Sequence, residues 1–262
     1  MLRKLPDITN GYNEITNMQG EGAEMLMDIG VQKLAAGESV TFFHAEHETA
    51  FLLMNGKVKF SYEGKAETGE RHSLLDEDPT ALHVCKGTEV VVAAETDAEL
   101  LVQRTDNDKT FDAKFYRPED CMSDVFGEGV WNNTARRVVR TVFDLSNAPY
   151  SNMVLGEVIN FPGGWSSYIP HGHDQPEVYY YRFHKPEGFG AGFIGENVYK
   201  IVDNSALCIP GGPTHPQAAA PGYPMWYCWM IRHLENNPWD KRVNDSRYEW
   251  LLEDNVKIWP EK

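Results

Sequence analysis

Short runs of β-branched and aromatic residues recur along most of the chain, and Gly, Pro, Asn or Asp interrupts them about every ten residues. Such runs occupy residues 39–44, 57–62, 137–143 and 177–183, among others. Strands of this length, separated by turn residues, pair most simply as antiparallel sheets that close into barrels or jelly rolls. Only residues 247–256 have a helical spacing of apolar side chains. The sequence therefore predicts an all-β protein with one short C-terminal helix.

The chain divides into two β-rich halves that resemble each other weakly. Residues 37–56 and 164–188 both run from a glycine through a strand, a histidine-containing turn, a glutamate and an apolar strand to a second glycine. A polar segment rich in Asn, Asp, Pro and Gly separates the halves. This pattern predicts a duplicated barrel, with one barrel in residues 1–110, a linker in 111–134, and a second barrel with a C-terminal tail in 135–262.

The charge balance limits the partners of the protein. Its 262 residues include 24 Lys and Arg against 39 Asp and Glu, a formal net charge of −15. Nucleic acids and anionic membranes bind cationic surfaces, so we expect neither as a partner, whereas a small anionic substrate needs only one or two well-placed cations. The N-terminus has no secretory pattern, and the four cysteines are widely spaced. We therefore expect a cytoplasmic protein.

Four side chains in the second half have the spacing of a metal site. The segment HGHDQPE places His171, His173 and Glu177 in the pattern HxHxxxE, and the segment PGGPTH ends in His215. Residues two apart in a strand project to the same face, so both imidazoles of the first segment can enter one cavity. Turns rich in Pro and Gly can direct Glu177 and His215 into the same cavity from neighbouring strands. We predict that the four side chains converge.

Three imidazoles and one carboxylate suit one divalent transition metal such as Zn, Mn, Fe, Co or Ni, whereas Ca and Mg prefer oxygen ligands. Four ligands on a six-coordinate ion leave two positions for substrate or water, as a catalytic site requires. Histidines with ordinary hydrogen bonds are the alternative interpretation. In the first half, His44 and Glu48 repeat the spacing of His173 and Glu177, but Phe42 stands where the first histidine is needed. We therefore expect a single metal site, in the second barrel.

The motifs HxHxxxE and PxGxxH resemble those of the cupins, whose barrels hold a metal on these four groups. The likeness extends to the segments RRVVRTVF (136–143), GEVINFPGGWSSYIPHGHD (156–174), EVYYYRF (177–183), GFG (188–190) and IPGGPTHPQAAAPGYPMWY (209–227). With these segments the chain resembles the bacterial 5-deoxy-glucuronate isomerases of inositol catabolism, which belong with the uronate ketol-isomerases, as a divergent member. The tail from Trp239 to Trp250 is also similar.

This resemblance implies a bicupin, with a degenerate N-terminal barrel and a metal-binding C-terminal barrel. It implies that His171, His173, Glu177 and His215 hold the metal. It also implies an aldose–ketose isomerase of a six-carbon sugar acid, with 5-deoxy-D-glucuronate giving 5-dehydro-2-deoxy-D-gluconate. Members of the family form oligomers, so a homo-oligomer is expected.

Candidate catalytic groups follow from strand parity. Glu177, Tyr179 and Tyr181 alternate onto one face of a strand, so the two phenols can line the metal cavity together with Tyr227. A phenol there can donate to a substrate oxygen or carry a proton, and Glu177 can do so if its ligation is labile. Packing in the core is the alternative role of these aromatic side chains.

A sugar acid also needs a counter-charge, and the planar guanidinium fork matches a carboxylate. The arginines closest in sequence to the site are Arg137, Arg140 and Arg182. Strand parity turns Arg182 away from the face that carries the ligands, so a surface ion pair is the alternative role of this residue. We expect at least one of the three to bind the substrate carboxylate.

Two other functions are consistent with the same ligands. An Fe(II) dioxygenase of the cupin fold uses three histidines and a glutamate, and a non-enzymatic cupin binds sugar acids without turnover. The isomerase is favoured because the segment WSSY matches it and because all four ligands are present. Proton transfer through an enediolate and a hydride shift both remain open as routes of isomerisation.

Overall fold

A computed structural model describes residues 1–5 and 7–260. Antiparallel strands dominate it, which confirms the all-β prediction. The strands are β1 (Leu2–Lys4), β2 (Gly11–Thr16), β3 (Asp28–Leu34), β4 (Ser39–Phe42), β5 (His47–Tyr62), β6 (Lys65–Arg71), β7 (Thr80–Val84), β8 (Val90–Ala94), β9 (Ala98–Asp106), β10 (Lys114–Tyr116), β11 (Met122–Phe126), β12 (Arg137–Phe143), β13 (Met153–Asn160), β14 (Trp165–Ser166), β15 (His171–Gly172), β16 (Glu177–Phe183), β17 (Phe189–Ile194), β18 (Asn197–Val202), β19 (Ser205–Ile209), β20 (Gln217–Ala219), β21 (Met225–Arg232) and β22 (Val243–Asn244).

Four short 3₁₀ helices connect these strands in the described residues, and they cover Ala23–Met25, Pro118–Asp120, Trp131–Asn133 and Ser246–Leu252. The last of them is the predicted C-terminal helix. It ends before the predicted range 247–256 does. Leu251 is its single buried side chain, so few packing contacts stabilise a longer helix. No helix in the described part of the chain has the length and apolar character needed to cross a membrane.

The first half forms a curled nine-stranded sheet around an apolar interior. β10, β7, β5, β9, β3 and β2 lie side by side in that order, and β4, β6 and β8 join them through β5 and β8. The long strand β5 pairs with β7 and β9 in its first part and with β6 and β8 in its second. Gly56 lies between the two parts at φ 95°, where a side chain would overlap the backbone of Asp97. The bend lets one strand serve both sides of the barrel.

The second half has a seven-stranded sheet and a smaller four-stranded sheet that enclose a second interior. The larger sheet has the order β1-β19-β16-β21-β13-β12-β11, and the smaller has the order β14-β20-β17-β18. Apolar and aromatic side chains from both sheets, including Tyr179, Tyr227 and Ile201, fill much of the space between them. A separate two-stranded ribbon joins β15 to β22 near the C-terminus.

A third apolar core joins the two halves. It contains Leu52 and Val31 from the first half and Val178, Tyr180 and Trp226 from the second, all of them buried. Along β16 the side chains therefore alternate, because Val178 and Tyr180 face the other half while the residues between them face the interior of their own barrel. The first half thus supports the back of the strand that carries Glu177.

The strand pairings connect the two halves more closely than the predicted domain boundaries suggest. β1, at the start of the chain, pairs with β19 of the second half. The segment 111–134, predicted as a linker, contains β10, which pairs with β7 of the first half, and β11, which pairs with β12 of the second. The division into 1–110, 111–134 and 135–262 stays a prediction.

A buried ion pair links the halves. Arg71, on β6, donates from its two terminal nitrogens to the two carboxylate oxygens of Glu157, on β13, at 2.6 and 2.8 Å, and both side chains are fully buried. Arg71 also donates to the carbonyl oxygens of Leu53 and Glu77. A bidentate pair of guanidinium and carboxylate offsets much of the free-energy cost of burying two charges. Removal of one partner is strongly destabilising, because the other charge then remains buried without a counter-ion.

Replacing Glu157 by Gln keeps the shape of the side chain and removes its charge. We expect the free energy of unfolding to fall by about 3 kcal/mol, because the Arg71 cation remains buried without its counter-ion. Denaturant unfolding followed by circular dichroism measures the change. The control is Glu21→Gln, at an exposed carboxylate that pairs with Arg3, and it should leave the unfolding midpoint almost unchanged. Equal effects of the two substitutions would contradict this account.

Candidate metal centre

Two loops meet where the predicted ligands lie. One begins with β15 and carries His171 and His173, and the other leads from β19 to His215. The backbone N–H of Gly212 donates to the carbonyl of His173 at 2.7 Å. A side chain on Gly172 would overlap the carbonyl of Gly212. Glycine at this position therefore lets the two ligand-bearing loops approach until their backbones touch.

Three of the predicted ligands converge on one point. The ligating atoms of His173, Glu177 and His215 all lie within 4.8 Å of one another. Glu177 Oε2 is 3.3 Å from Nε2 of His173 and 3.3 Å from Nε2 of His215. His171 lies beside this group on the same cavity wall, with its ring centroid 5.3 Å from that of His215. The structure thus brings all four predicted side chains to one cavity, three of them in a tight group.

The backbone orients all three imidazoles in the same way. The Nδ1 atoms of His171, His173 and His215 lie 2.9, 3.0 and 3.0 Å from the carbonyl oxygens of Ile169, Gln175 and Pro213, in that order. A carbonyl only accepts, so Nδ1 carries the hydrogen in each ring, and Nε2 of the neutral ring keeps its lone pair. Histidine ligands of metals are commonly held by such hydrogen bonds. The three rings therefore fit a metal bound through Nε2.

The surroundings favour the neutral form of two of these rings. Burial lowers the pKa of His171 to about 3, and the neighbouring His215 adds to the shift. Burial likewise lowers the pKa of His215. For His173 burial acts in the same direction, but the hydrogen bond and charge of Glu177 outweigh it and raise the pKa. Neutral imidazoles beside a carboxylate are the donor set that a divalent transition metal prefers.

The ligands open into a cavity of about 160 Å³. Tyr179, Tyr227, Ser167, Arg137 and Trp239 line it together with the ligands. This volume is about ten times what one water molecule needs, so the cavity has room for a small organic molecule beside an ion.

Two of the predicted tyrosines lie on the cavity wall. The hydroxyl of Tyr227 is 2.8 Å from Oγ of Ser166, and that of Tyr179 is 3.2 Å from Oγ of Ser167. Burial raises the pKa of Tyr227 to about 12 and that of Tyr179 well above its ordinary value. Both side chains therefore hold their phenolic proton at neutral pH. The serines of the WSSY segment fix where these hydroxyls lie.

The position of Tyr181 corrects the sequence prediction. It shares a strand face with Tyr179, but it lies deeper in the barrel and does not line the cavity. Its hydroxyl donates to Oε1 of Gln217 at 2.7 Å, which satisfies it within the core. Parity gives the face of a side chain and not its depth, which is why the prediction failed here.

Of the three predicted arginines, the structure places only Arg137 at the cavity. The Arg140 guanidinium lies at the junction of the halves, 2.8 Å from Asp78 and 3.5 Å from Glu157. Arg182 pairs with Glu99 at 2.7 Å, as its parity suggests. Carboxylates of the protein already neutralise these two side chains, so neither is placed to bind a substrate in the cavity.

Among the residues of the cavity wall that sequence reasoning missed are Trp239 and Arg242. Both belong to the tail, which returns to the site because β22 pairs with β15. The likeness of the tail to the isomerases was the available signal. The short strand β22 has too few residues for its pairing to be predicted from a pattern.

In the first half, Glu48 does not repeat the position of Glu177. It faces the junction between the halves, where it accepts hydrogen bonds from Asn107, Ser151 and the backbone of Asn152 and lies 2.8 Å from His83. Phe51, Phe60 and other apolar side chains fill the interior of that barrel. Although His44 and Glu48 have the same spacing as His173 and Glu177, Glu48 faces the junction of the halves, whereas Glu177 faces the interior of its own barrel.

The chain is similar to proteins of one family over almost its whole length. The sequence model of the KduI/IolB family matches residues 1–251. The 5-deoxy-glucuronate isomerase of Bacillus subtilis subsp. natto is 24% identical over 269 residues, which cover 94% of this chain and 96% of that protein. The isomerase of the same name from Geobacillus kaustophilus is 27% identical over 244 residues, covering 85% of this chain and 84% of that protein.

Solved structures show the same fold. An IolB-like protein from Salmonella typhimurium LT2 superposes with a TM-score of 0.88 at 21% identity, over 96% of this chain and 99% of that one. Oxalate decarboxylase of Lactobacillus farciminis gives a TM-score of 0.67 at 12% identity, over 94% of this chain and 89% of that one. These likenesses confirm the predicted two-barrel cupin fold.

Removing one ligand tests the metal centre. We expect His171→Ala and His215→Ala to weaken the binding of a divalent ion by more than about a hundredfold, since even changes behind the ligands cost ten- to a hundredfold. Unfolding temperatures without metal should change little, because barrel packing supplies most of the stability. Titration calorimetry with Zn²⁺ and Mn²⁺ measures the binding. His44→Ala is the control, and loss of binding in that variant would place the metal in the other barrel.

The contact between the two loops makes a second prediction. Gly172→Ala forces them apart, so we expect a fall in metal affinity of about ten- to a hundredfold although every ligand is retained. Gly20→Ala is the matched control, because a side chain there meets only Asn17 at ordinary contact distance. Calorimetric metal binding and the unfolding temperature are measured for both variants. Unchanged metal affinity in Gly172→Ala would show that the close approach is not needed.

Proposed function

The chain belongs to the KduI/IolB family and is an isomerase, and we propose that it interconverts an aldose and a ketose in a six-carbon sugar acid. The proposed pair is 5-deoxy-D-glucuronate and 5-dehydro-2-deoxy-D-gluconate, by extension from the names of its relatives. One observation carries the proposal. Three imidazoles, each fixed by a backbone carbonyl, share one cavity with Glu177, and Nε2 of two of them lies 3.3 Å from its carboxylate. Two phenols and two arginines line the same cavity.

The residues fit a divalent metal, and we propose that His171, His173, Glu177 and His215 hold one of Zn, Mn, Fe, Co or Ni. When bound, such an ion polarises a carbonyl and offsets the negative charge that develops on the oxygens of an enediolate. Three imidazoles and one carboxylate would leave part of the coordination sphere of such an ion free for substrate or water.

The protein side chains then supply binding and proton transfer. Isomerisation removes a proton from C2, returns a proton to C1 and shifts a hydroxyl proton from O2 to O1, so it consumes no oxidant. Tyr179 and Tyr227 keep their phenolic protons at neutral pH and can donate to the substrate oxygens. The charge of Glu177 acts on both phenols, and we assign to this carboxylate the removal of the proton at C2. Arg137 supplies positive charge for the substrate carboxylate.

We further propose that the protein is a cytoplasmic homo-oligomer that acts in inositol catabolism. In this proposal it binds a small anionic sugar and binds neither nucleic acid nor membranes. The edge strand β11 supports self-association, because all five of its residues are exposed, among them Met122, Val125 and Phe126. Exposed apolar edges of sheets tend to pair with other chains. The four cysteines are free, as expected in a reducing compartment.

Turnover of 5-deoxy-D-glucuronate by metal-stripped and reconstituted protein tests the function. We expect activity only after reconstitution, at the same rate with and without oxygen. Reaction in deuterated water should place deuterium in the ketose, on the carbon that was C1 of the aldose, if a proton is transferred, and should place none there if hydride moves directly. Oxygen consumption with no ketose formed would instead support a dioxygenase, and tight uronate binding without turnover would support a non-enzymatic cupin.

The phenols are tested separately. We expect Tyr227→Phe and Tyr179→Phe to lower kcat by about a hundredfold, which is a typical contribution of one positioned proton donor. Tyr180→Phe is the control, because Tyr180 follows Tyr179 in β16 but faces the junction of the halves and donates to Asn204. A similar loss in all three variants would point to a general effect on the fold.

A further inference from the structure

The C-terminal segment is fixed to the metal-bearing loop at both of its ends. Before the segment, Nε2 of Gln175 donates to the carbonyl of Asn237 at 2.8 Å. After it, β22 pairs with β15, and the backbone N–H of Asp245 donates to the carbonyl of Pro170 at 2.9 Å. The residues between these anchors are therefore held across the cavity.

Two side chains of this segment form part of the cavity wall. Trp239 packs against Trp229, with ring centroids 5.7 Å apart, and against His173 at 6.2 Å. Arg242 lines the same cavity and is itself exposed, so its guanidinium lies where the cavity meets solvent. The segment thus closes one side of the site with an indole and places a cation at its edge.

The two arginines of the cavity have no carboxylate partner in the described residues. Arg137 donates only to the carbonyls of Ala135 and Tyr168. Burial lowers the pKa of Arg137, and the nearby charge of Arg242 adds to that effect, so the two cations repel each other. Asp144, the acidic residue on the wall besides Glu177, accepts hydrogen bonds from Ser146 in its own turn.

This arrangement contrasts with the rest of an acidic protein. The chain has a net charge of −15, and Arg140 and Arg182 are both neutralised by carboxylates. Two cations left unpaired on one cavity wall raise the local concentration of anions and match the forked geometry of a carboxylate. An anion that binds between them would also relieve their mutual repulsion.

We propose that Arg242 and Arg137 together bind the carboxylate of the sugar acid, so that the C-terminal segment determines the preference for a uronate over a neutral sugar. This inference rests on the proposed function, since the aldehyde end of the same molecule lies at the metal ligands. Arg242 is the specificity-determining residue, because the segment that carries it is held at the cavity by its two anchors to the metal-bearing loop. Arg137 supplies the buried half of the site.

Paired substrates test the proposal in the metal-loaded protein. For Arg242→Gln we expect KM for 5-deoxy-D-glucuronate to rise about tenfold with little change in kcat, as for the loss of one charged hydrogen bond that is equally strong in ground and transition states. The value of kcat/KM for 5-deoxy-D-glucose, which has an alcohol in place of the carboxylate, should not change. Arg242→Lys should restore part of the loss. Lys241→Gln removes the same charge from the neighbouring exposed residue and should leave both substrates unaffected.

Calorimetric binding of D-glucuronate separates this proposal from the proposed function. Weaker binding in Arg242→Gln, but not in Lys241→Gln, supports the arginine pair even if the wild-type protein catalyses no isomerisation. Equal binding by the wild-type and Arg242→Gln proteins overturns it, and so does an equal loss of kcat/KM for the charged and the neutral sugar. If the wild-type protein binds no uronate at all, the carboxylate site is wrong, and turnover of the neutral sugar then decides the isomerase proposal alone.

Discussion

The functional half of this protein depends on two loops whose backbones lie in contact. The hydrogen bond from Gly212 to His173 joins the loop that carries two histidines to the loop that carries the third. Their approach is close enough that Gly172 has no room for a side chain. Carbonyls within the same loops fix the tautomer of each ring, so the backbone that positions the imidazoles also decides which nitrogen faces the cavity.

The two barrels differ in which side chains their strands direct into the interior. In the second barrel, β16 directs Glu177 and Tyr179 into an open cavity, whereas its other face packs against the first barrel. In the first barrel, the corresponding interior is filled with aromatic and aliphatic side chains. The first barrel therefore contributes to function by supporting the strand that bears the carboxylate. The buried pair of Arg71 and Glu157 fixes the two barrels against each other.

Electrostatic pairing determines which cations are available to a ligand. Among the arginines near the candidate site in sequence or in space, carboxylates of the protein neutralise Arg140 and Arg182. Arg137 and Arg242 remain at the cavity, one buried and one exposed. An acidic protein can thus leave two arginines for a sugar acid, because the carboxylates on the same wall, Glu177 and Asp144, contact other groups. The same division explains why closeness in sequence was a poor guide to the arginines.

The sequence alone determined the all-β class, the two-barrel cupin fold and the convergence of the four side chains predicted as metal ligands. The all-β class and the convergence follow from local rules, because turn residues end strands and alternate residues share a face. The cupin fold was implied by the resemblance of the motifs to a known family. The depth of Tyr181, the ion pairs of Arg140 and Arg182, and the return of Trp239 and Arg242 to the cavity were decided only by the tertiary structure. Each depends on which distant segments lie side by side, and a pattern of two or three residues such as β22 holds too little information to specify its partner strand.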